Sequence, residues 1–244
     1  MKRDISWPKL LAEGAAIVAS ILLAFAIDAW WSGQQDREDE AVVLAALEAE
    51  FGEIQREFGF NQAQAKEMQV SARRLLYHGR NPTSEVSDEQ IDLWLNDTTW
   101  TFFAGDAPVV DSMVLGGRLS LLSNRELRTR LVKWSSLLKF ISRNSLRSRA
   151  FLDQHYLPYL RGNASIAQIY AADDGQPGRP EIVYPYGSEI EGYTPISHRD
   201  LIQQPEFQNL LIDRIALLNE IIGYGTESEL ADEIAEITAI IGQE

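Results

Sequence analysis

Glu13 and Asp28 are the reactive groups of this sequence with the most unusual setting. They bracket Gly14-Ala-Ala-Ile-Val-Ala-Ser-Ile-Leu-Leu-Ala-Phe-Ala-Ile27, a run without charge. At about 100° per helical residue the two acids fall about 60° apart, on one side of a helix. An acid inside a membrane faces a partner, whereas an acid at its boundary snorkels to water, and both readings apply here. On the same side Ala12, Ala16, Ser20, Ala24 and Asp28 recur every fourth residue. That is the small-xxx-small pattern that lets two helices approach closely.

Other chemistry is sparse. His78, His155 and His198 are scattered, and Asp153-x-His155 could hold a metal only with remote partners. No HExxH and no paired His at helical spacing occurs, so they read as ordinary surface or helix-end histidines. Ser112, Ser120 and Ser188 lack a nucleophile-elbow context, and no GxGxxG or Walker loop is present. Gly116-Gly117 reads as a turn. The absence of cysteine excludes disulfides, thiolate nucleophiles and Cys-based zinc or iron–sulfur sites. The sequence therefore predicts no catalytic, cofactor-binding or metal site.

The element that carries the two acids is a membrane span over residues 10–31. Its 22 residues reach roughly 33 Å at 1.5 Å rise, enough for a bilayer core of about 30 Å. Trp30 and Trp31 stand where an aromatic belt meets the interface. Lys2, Arg3 and Lys9 precede the span, whereas Asp28, Asp36, Glu38, Asp39 and Glu40 follow it with only Arg37 among them. The positive-inside rule then puts residues 1–9 in the cytoplasm, and residues 32–244 outside an inner membrane, in the periplasm. The rival reading is a cleaved signal peptide with Ala24-Phe-Ala26 as its site, against which the late apolar start counts. The formal charge of −14 argues against nucleic acid, whose phosphates need a basic footprint, and against lying flat on anionic lipid.

Beyond the span, Leu44, Leu47, Phe51, Ile54, Phe58, Asn61, Ala65, Met68, Ala72 and Leu75 alternate steps of three and four. That is the seam of a long helix packing in coiled-coil fashion. Asn61, its one polar position, is either a solvent-facing kink or a register-fixing buried amide. His78-Gly79 and Asn81-Pro82 end the helix. Capping boxes at Ser87-Asp-Glu-Gln90 and Ser123-Asn-Arg-Glu126 open a short helix and a second long one. The latter carries Leu127, Leu131, Trp134, Leu138, Ile141, Leu152 and Tyr156 on one face. Residues 161–196 lose all periodicity and read as an irregular excursion. Its tyrosines Tyr184, Tyr186 and Tyr193, beside Pro and Gly, have the composition of a partner contact. Pro205 opens a last helix whose apolar face is Phe207, Leu210, Leu211, Ile215, Leu218, Ile221 and Ile222. The fold expected is all-α: a transmembrane helix continuing into a long antiparallel three-helix bundle.

With the span, the Trp30-Trp31 exit and the segment Leu115 to Leu131 in view, the chain resembles an uncharacterised bacterial family of single-span membrane proteins. The matching positions are Gly117, Leu119, Leu121, Leu122, Leu127 and Arg128 in a small-Gly-x-Leu-x-Leu-Ile-x-x-x-x-Leu-Arg pattern. The resemblance implies a helical extracytoplasmic domain on an N-terminal span and implies no activity. The function expected is a non-catalytic membrane protein, a scaffold assembling with itself or an accessory subunit of a larger membrane complex. The alternative is a periplasmic sensor or ligand-binding ectodomain working with a separate partner.

Overall fold

The computed structural model describes residues 7–100, 106–172, 194–226 and 229–243; side chains before Ala15 and at 224–229 are not described. Every described element is helical. Helix α1 (Trp7–Arg80) runs 74 residues without a break, roughly 111 Å at 1.5 Å per residue. No proline interrupts it after its second residue, and Gly33, Gly52 and Gly59 each have open space where a side chain would stand. The expected seam is buried at Leu47, Phe51, Ile54, Ala65, Met68, Ala72 and Leu75, with Leu44 and Phe58 half-buried against the core. The buried amide of this helix is Gln62, whose Nε2 donates to the Ile221 carbonyl at 2.5 Å, while Asn61 lies half-buried beside it.

Helix α2 (Asp88–Thr98) starts at Ser87, whose hydroxyl accepts from the Gln90 amide at 3.1 Å. Helix α3 (Pro108–Leu115) ends at Gly116, and Gly117 takes a left-handed φ of 69° before a 3₁₀ turn at Arg118–Leu121. The second long helix, α4 (Arg125–Phe151), is capped by Asn124, which accepts from the Leu127 amide at 3.0 Å. The capping box expected at Ser123 thus sits one residue on, because the Glu40 carboxylate of α1 occupies the Ser123 amide. A π turn at Leu152–Tyr156 leads into α5 (Leu157–Asn163). Pro158 lies just beyond that turn, where a prolyl ring would crowd the carbonyl four residues back in a regular α-helix.

The excursion is shorter than expected. Residues through Asn163 are helical, and α6 (Ile166–Ala171) follows on a Ser165 cap. Helix α7 (Arg199–Gln203) leads into α8 (Pro205–Thr226), which Pro205 opens as expected, and α9 (Glu229–Ile241) ends the fold. Tyr184, Tyr186 and Tyr193, and the strand considered near Ile182, lie outside the described residues.

Packing fixes the sense of the three long rods. Val43 to Ile54 of α1 meet Leu127 to Trp134 of α4 and Leu230 to Ile241 of α9 in one core. Farther along, Ala72 and Leu75 meet Leu152, Tyr156 and Leu160, together with Phe207 and Leu211 of α8. Helix α8–α9 is therefore antiparallel to α1, but α4–α5 runs beside α1 in the same direction. The expected alternation fails at α4, because α2 and α3 carry the chain back along α1 before α4 begins. Such a crossover is one of the two ways a helical bundle is wired.

Candidate functional site

Two features stand out: an apolar helix surface that no described residue covers, and a set of polar joints sealed inside the helical domain. On α1 an 18-residue apolar window begins at Ala15, with mean hydropathy 1.8, and none of it is buried. Ile17, Leu22, Phe25 and Ile27 point outward, as do Trp30 and Trp31, each 65% exposed with ring centroids 6.5 Å apart. Each such side chain favours an apolar environment over water by about 1.5–3 kcal/mol, so the segment is long and apolar enough to cross a membrane. Ala16, Ser20, Ala24 and Asp28 are all exposed, and the Ser20 hydroxyl donates to the Ala16 carbonyl at 2.8 Å. Glu13 belongs to α1, with its side chain among those not described. The first of the described side chains of α1 to be buried is Val43, about 18 Å beyond Trp31. An exposed neck bearing Asp36, Glu38 and Asp39 therefore separates the apolar surface from the packed domain.

The first joint is built on His198, 1% exposed, which precedes α7. Its Nδ1 lies 2.6 Å from Asp92 Oδ1, and its Nε2 accepts from the Ser165 amide at 3.0 Å. A backbone N–H can only donate, so the imidazole carries its proton on Nδ1 and gives it to Asp92. Gln168 Nε2 donates to the other Asp92 oxygen at 2.5 Å and to the Ile196 carbonyl at 2.9 Å, while its Oε1 accepts from the Ile196 amide at 2.9 Å. Asn96 donates to the Ala172 carbonyl at 2.9 Å. An Asp–His pair resembles the orienting half of a hydrolase triad, but here the outer nitrogen is occupied by backbone and sealed from solvent. It fastens α2 to the chain at Ala172 and Ile196 and offers no proton acceptor to a substrate.

The second joint is Arg214 of α8, fully buried. It donates to Ser148 Oγ at 2.9 Å, to Met68 Sδ at 3.5 Å and to the Trp100 carbonyl. Among the described residues no carboxylate pairs with it and its Nε has no hydrogen-bond partner. Burial lowers the guanidinium to about 10. Beside it the Tyr156 hydroxyl, bonded to Thr98 at 2.6 Å, is pushed well above its usual range by burial. The third joint is Glu50 of α1, whose carboxylate accepts from the Val109 and Val110 amides at 2.7 and 3.0 Å. It caps the start of α3, and burial, outweighing those two bonds, raises its carboxyl above 4.5.

A groove of about 350 Å³ runs between α1 and α2. Arg74 lies over the Trp94 ring at 5.5 Å on its wall, and His78 stacks on the same ring at 5.4 Å. His198, expected as a surface or helix-end histidine, precedes α7 but is buried, and sequence reasoning misses Arg214 altogether. Asp92 and Asn96, on a helix that otherwise buries Ile91 and Leu95, are the signal that a polar partner waits inside. No group of three or more potential metal ligands comes together among the described residues. Compared with protein-family models, curated proteins and solved structures, the chain matches none of them.

Proposed function

We propose that this is a non-catalytic, single-pass membrane protein that works as a self-assembling scaffold or an accessory subunit of a larger membrane complex. The observation that carries this reading is α1 itself, one helix that starts as an uncovered apolar surface and ends as the central rod of the core. The apolar stretch lies in the inner membrane, the basic residues before it in the cytoplasm, and the helical domain in the periplasm. Lipid covers most of the span, and Glu13, Ala16, Ser20, Ala24 and Asp28 form the side that meets another helix. The polar joints at His198 and Arg214 are closed by their partners and by burial, which favours a mechanical role.

The test is the native mass of the full chain extracted in mild detergent, with all co-purifying chains identified. A multiple of 27.5 kDa supports the scaffold and stoichiometric foreign chains the accessory subunit; a bare monomer overturns both. Converting Ala16, Ser20 and Ala24 together to Leu is expected to weaken the assembly.

The groove at Trp94 favours a second reading, a periplasmic ligand-binding or sensor domain working with a separate partner. A ligand screen read as a melting shift, lost in Trp94→Leu, tests it.

A further inference from the structure

The joint at His198 admits only one protonation state of its imidazole. A neutral ring has one N–H and one lone pair, and both are committed. The Nδ1 proton goes to Asp92 at 2.6 Å, and the Nε2 lone pair takes the Ser165 amide at 3.0 Å. Much of the local structure hangs on that second contact. Ser165 caps α6, its hydroxyl accepting from the Gln168 amide at 3.4 Å. Gln168 in turn joins Asp92 to both polar groups of the Ile196 backbone. A single ring nitrogen thus holds the cap on which α6 and its contacts with α2 depend.

A second proton would turn that contact into a conflict. The imidazolium has two N–H groups and no lone pair, so its Nε2–H would meet the Ser165 N–H head on. The two neighbours act in opposite senses: the Asp92 carboxylate favours the charged ring, and the Ser165 amide opposes it. Arg199, next in the chain, is held by Asp88 at 2.8 Å and by the Val86 carbonyl, which leaves Asp92 to His198. The other ionisable groups on the surrounding elements are Glu89 of α2, Asp200 of α7, Arg161 of α5, Tyr170 of α6, and His78 of α1, which bonds to Ser84. Closure excludes the second proton, so the closed joint is favoured at higher pH and is lost as pH falls.

We propose that the His198 joint is an acid-operated latch: a proton taken up at Nε2 from solvent releases Ser165, and α6 with it, from α2 while the long helices stay packed. Six residues cannot hold a helix without such a cap, so α6 frays when the contact breaks. The latch is independent of the scaffold reading. In the periplasmic placement proposed above it would respond to the pH of the surroundings, in the range where an imidazole gains its proton.

The experiment is hydrogen exchange of the full chain in mild detergent between about pH 7.5 and 5, corrected for the intrinsic effect of pH on exchange. Residues 164–172 are expected to exchange about tenfold faster at the acid end, the size of one lost hydrogen bond, while residues 127–134 of α4 stay protected. His198→Gln, which cannot take the proton, should show no step. Ser165→Pro removes the opposing N–H and should also give a flat profile. Proline suits this position, since Ser165 has φ −82° and Ala164 before it is extended at φ −139°, ψ 162°. Protection at 164–172 that is flat in the wild type, or a step that survives either substitution, would overturn the latch. So would loss of protection in α4 at the same pH, which would make the response general unfolding. Native mass enters none of these readings, so the latch and the proposed assembly stand or fall separately.

Discussion

Arg214 of α8 donates to Ser148 of α4 at 2.9 Å inside a core where no described carboxylate meets its charge. The same guanidinium reaches Met68 of α1 and the carbonyl of Trp100, so one side chain ties the three rods to the end of α2. Burial makes that charge costly to hold and lowers its titration to about 10.

Arg214→Met, which keeps the volume and removes the charge, is therefore expected to leave stability within about 1 kcal/mol of the wild type. The released penalty offsets the donors lost by Ser148 and Trp100. Arg214→Ala opens a cavity as well and is expected to lose about 2–5 kcal/mol. Denaturant unfolding followed by helical circular dichroism separates the two. A methionine variant as weak as the alanine one would mean that the hydrogen bonds outweigh the charge.

His198→Ala strips the buried Asp92 carboxylate of one donor and the Ser165 amide of its acceptor. A loss of about 2–4 kcal/mol is expected. Adding Asp92→Asn removes the stranded charge, so the double variant should be more stable than the sum of the singles by about 1–3 kcal/mol. Strict additivity in that cycle would contradict the pairing.

Gly79 and Gly52 test packing against propensity. A β-carbon at Gly79 would stand 2.0 Å from the Ile202 carbonyl, whereas nothing lies within 4 Å of one at Gly52. Gly79→Ala is expected to push α7 away and lower the melting temperature by several degrees. Gly52→Ala is expected to raise stability by about 0.5–1 kcal/mol through helix propensity alone.

Glu50 gives the fold a defined acid response. Burial raises its folded titration above 4.5, so the folded state takes up its proton at a higher pH than the unfolded chain. The contribution is full below the unfolded value and is lost as pH rises through the folded one. Measured against Glu50→Gln, the wild type should thus gain stability as pH falls from 7 to 4. A gap that narrows over that range would reverse the assignment.

The long periodic elements were readable in the sequence because their apolar spacing and their packing coincide. Leu47 to Leu75 of α1 and Leu127 to Trp134 of α4 follow that spacing, and the cap of α4 fell one residue from the expected place. The direction of α4 was not readable, since it depends on how far α2 and α3 carry the chain before α4 begins. The excursion was overestimated because α6 has only six residues, too few to show a period, and rests on Ser165 and the contacts of Gln168. The joints at His198 and Arg214 link residues far apart in the chain, and one sequence carries no signal of which distant partner a polar side chain will find.

The unbroken course of α1 makes the protein rotationally keyed. A helix turns about 100° with each residue, so the angle between the side of the apolar segment bearing Ser20 and the side of the domain bearing α4 is set by the number of residues between them. One residue inserted in the neck near Gln35 would swing the whole domain by about 100° while lifting it by only about 1.5 Å. On the proposed reading, a contact made by the apolar segment and one made by the helical domain would engage the same neighbour only at the native count. Seven inserted residues, nearly two full turns, would restore the angle to within about 20° and raise the domain by about 10 Å. Length and phase are thus separate variables of this protein, and a single uninterrupted helix sets both.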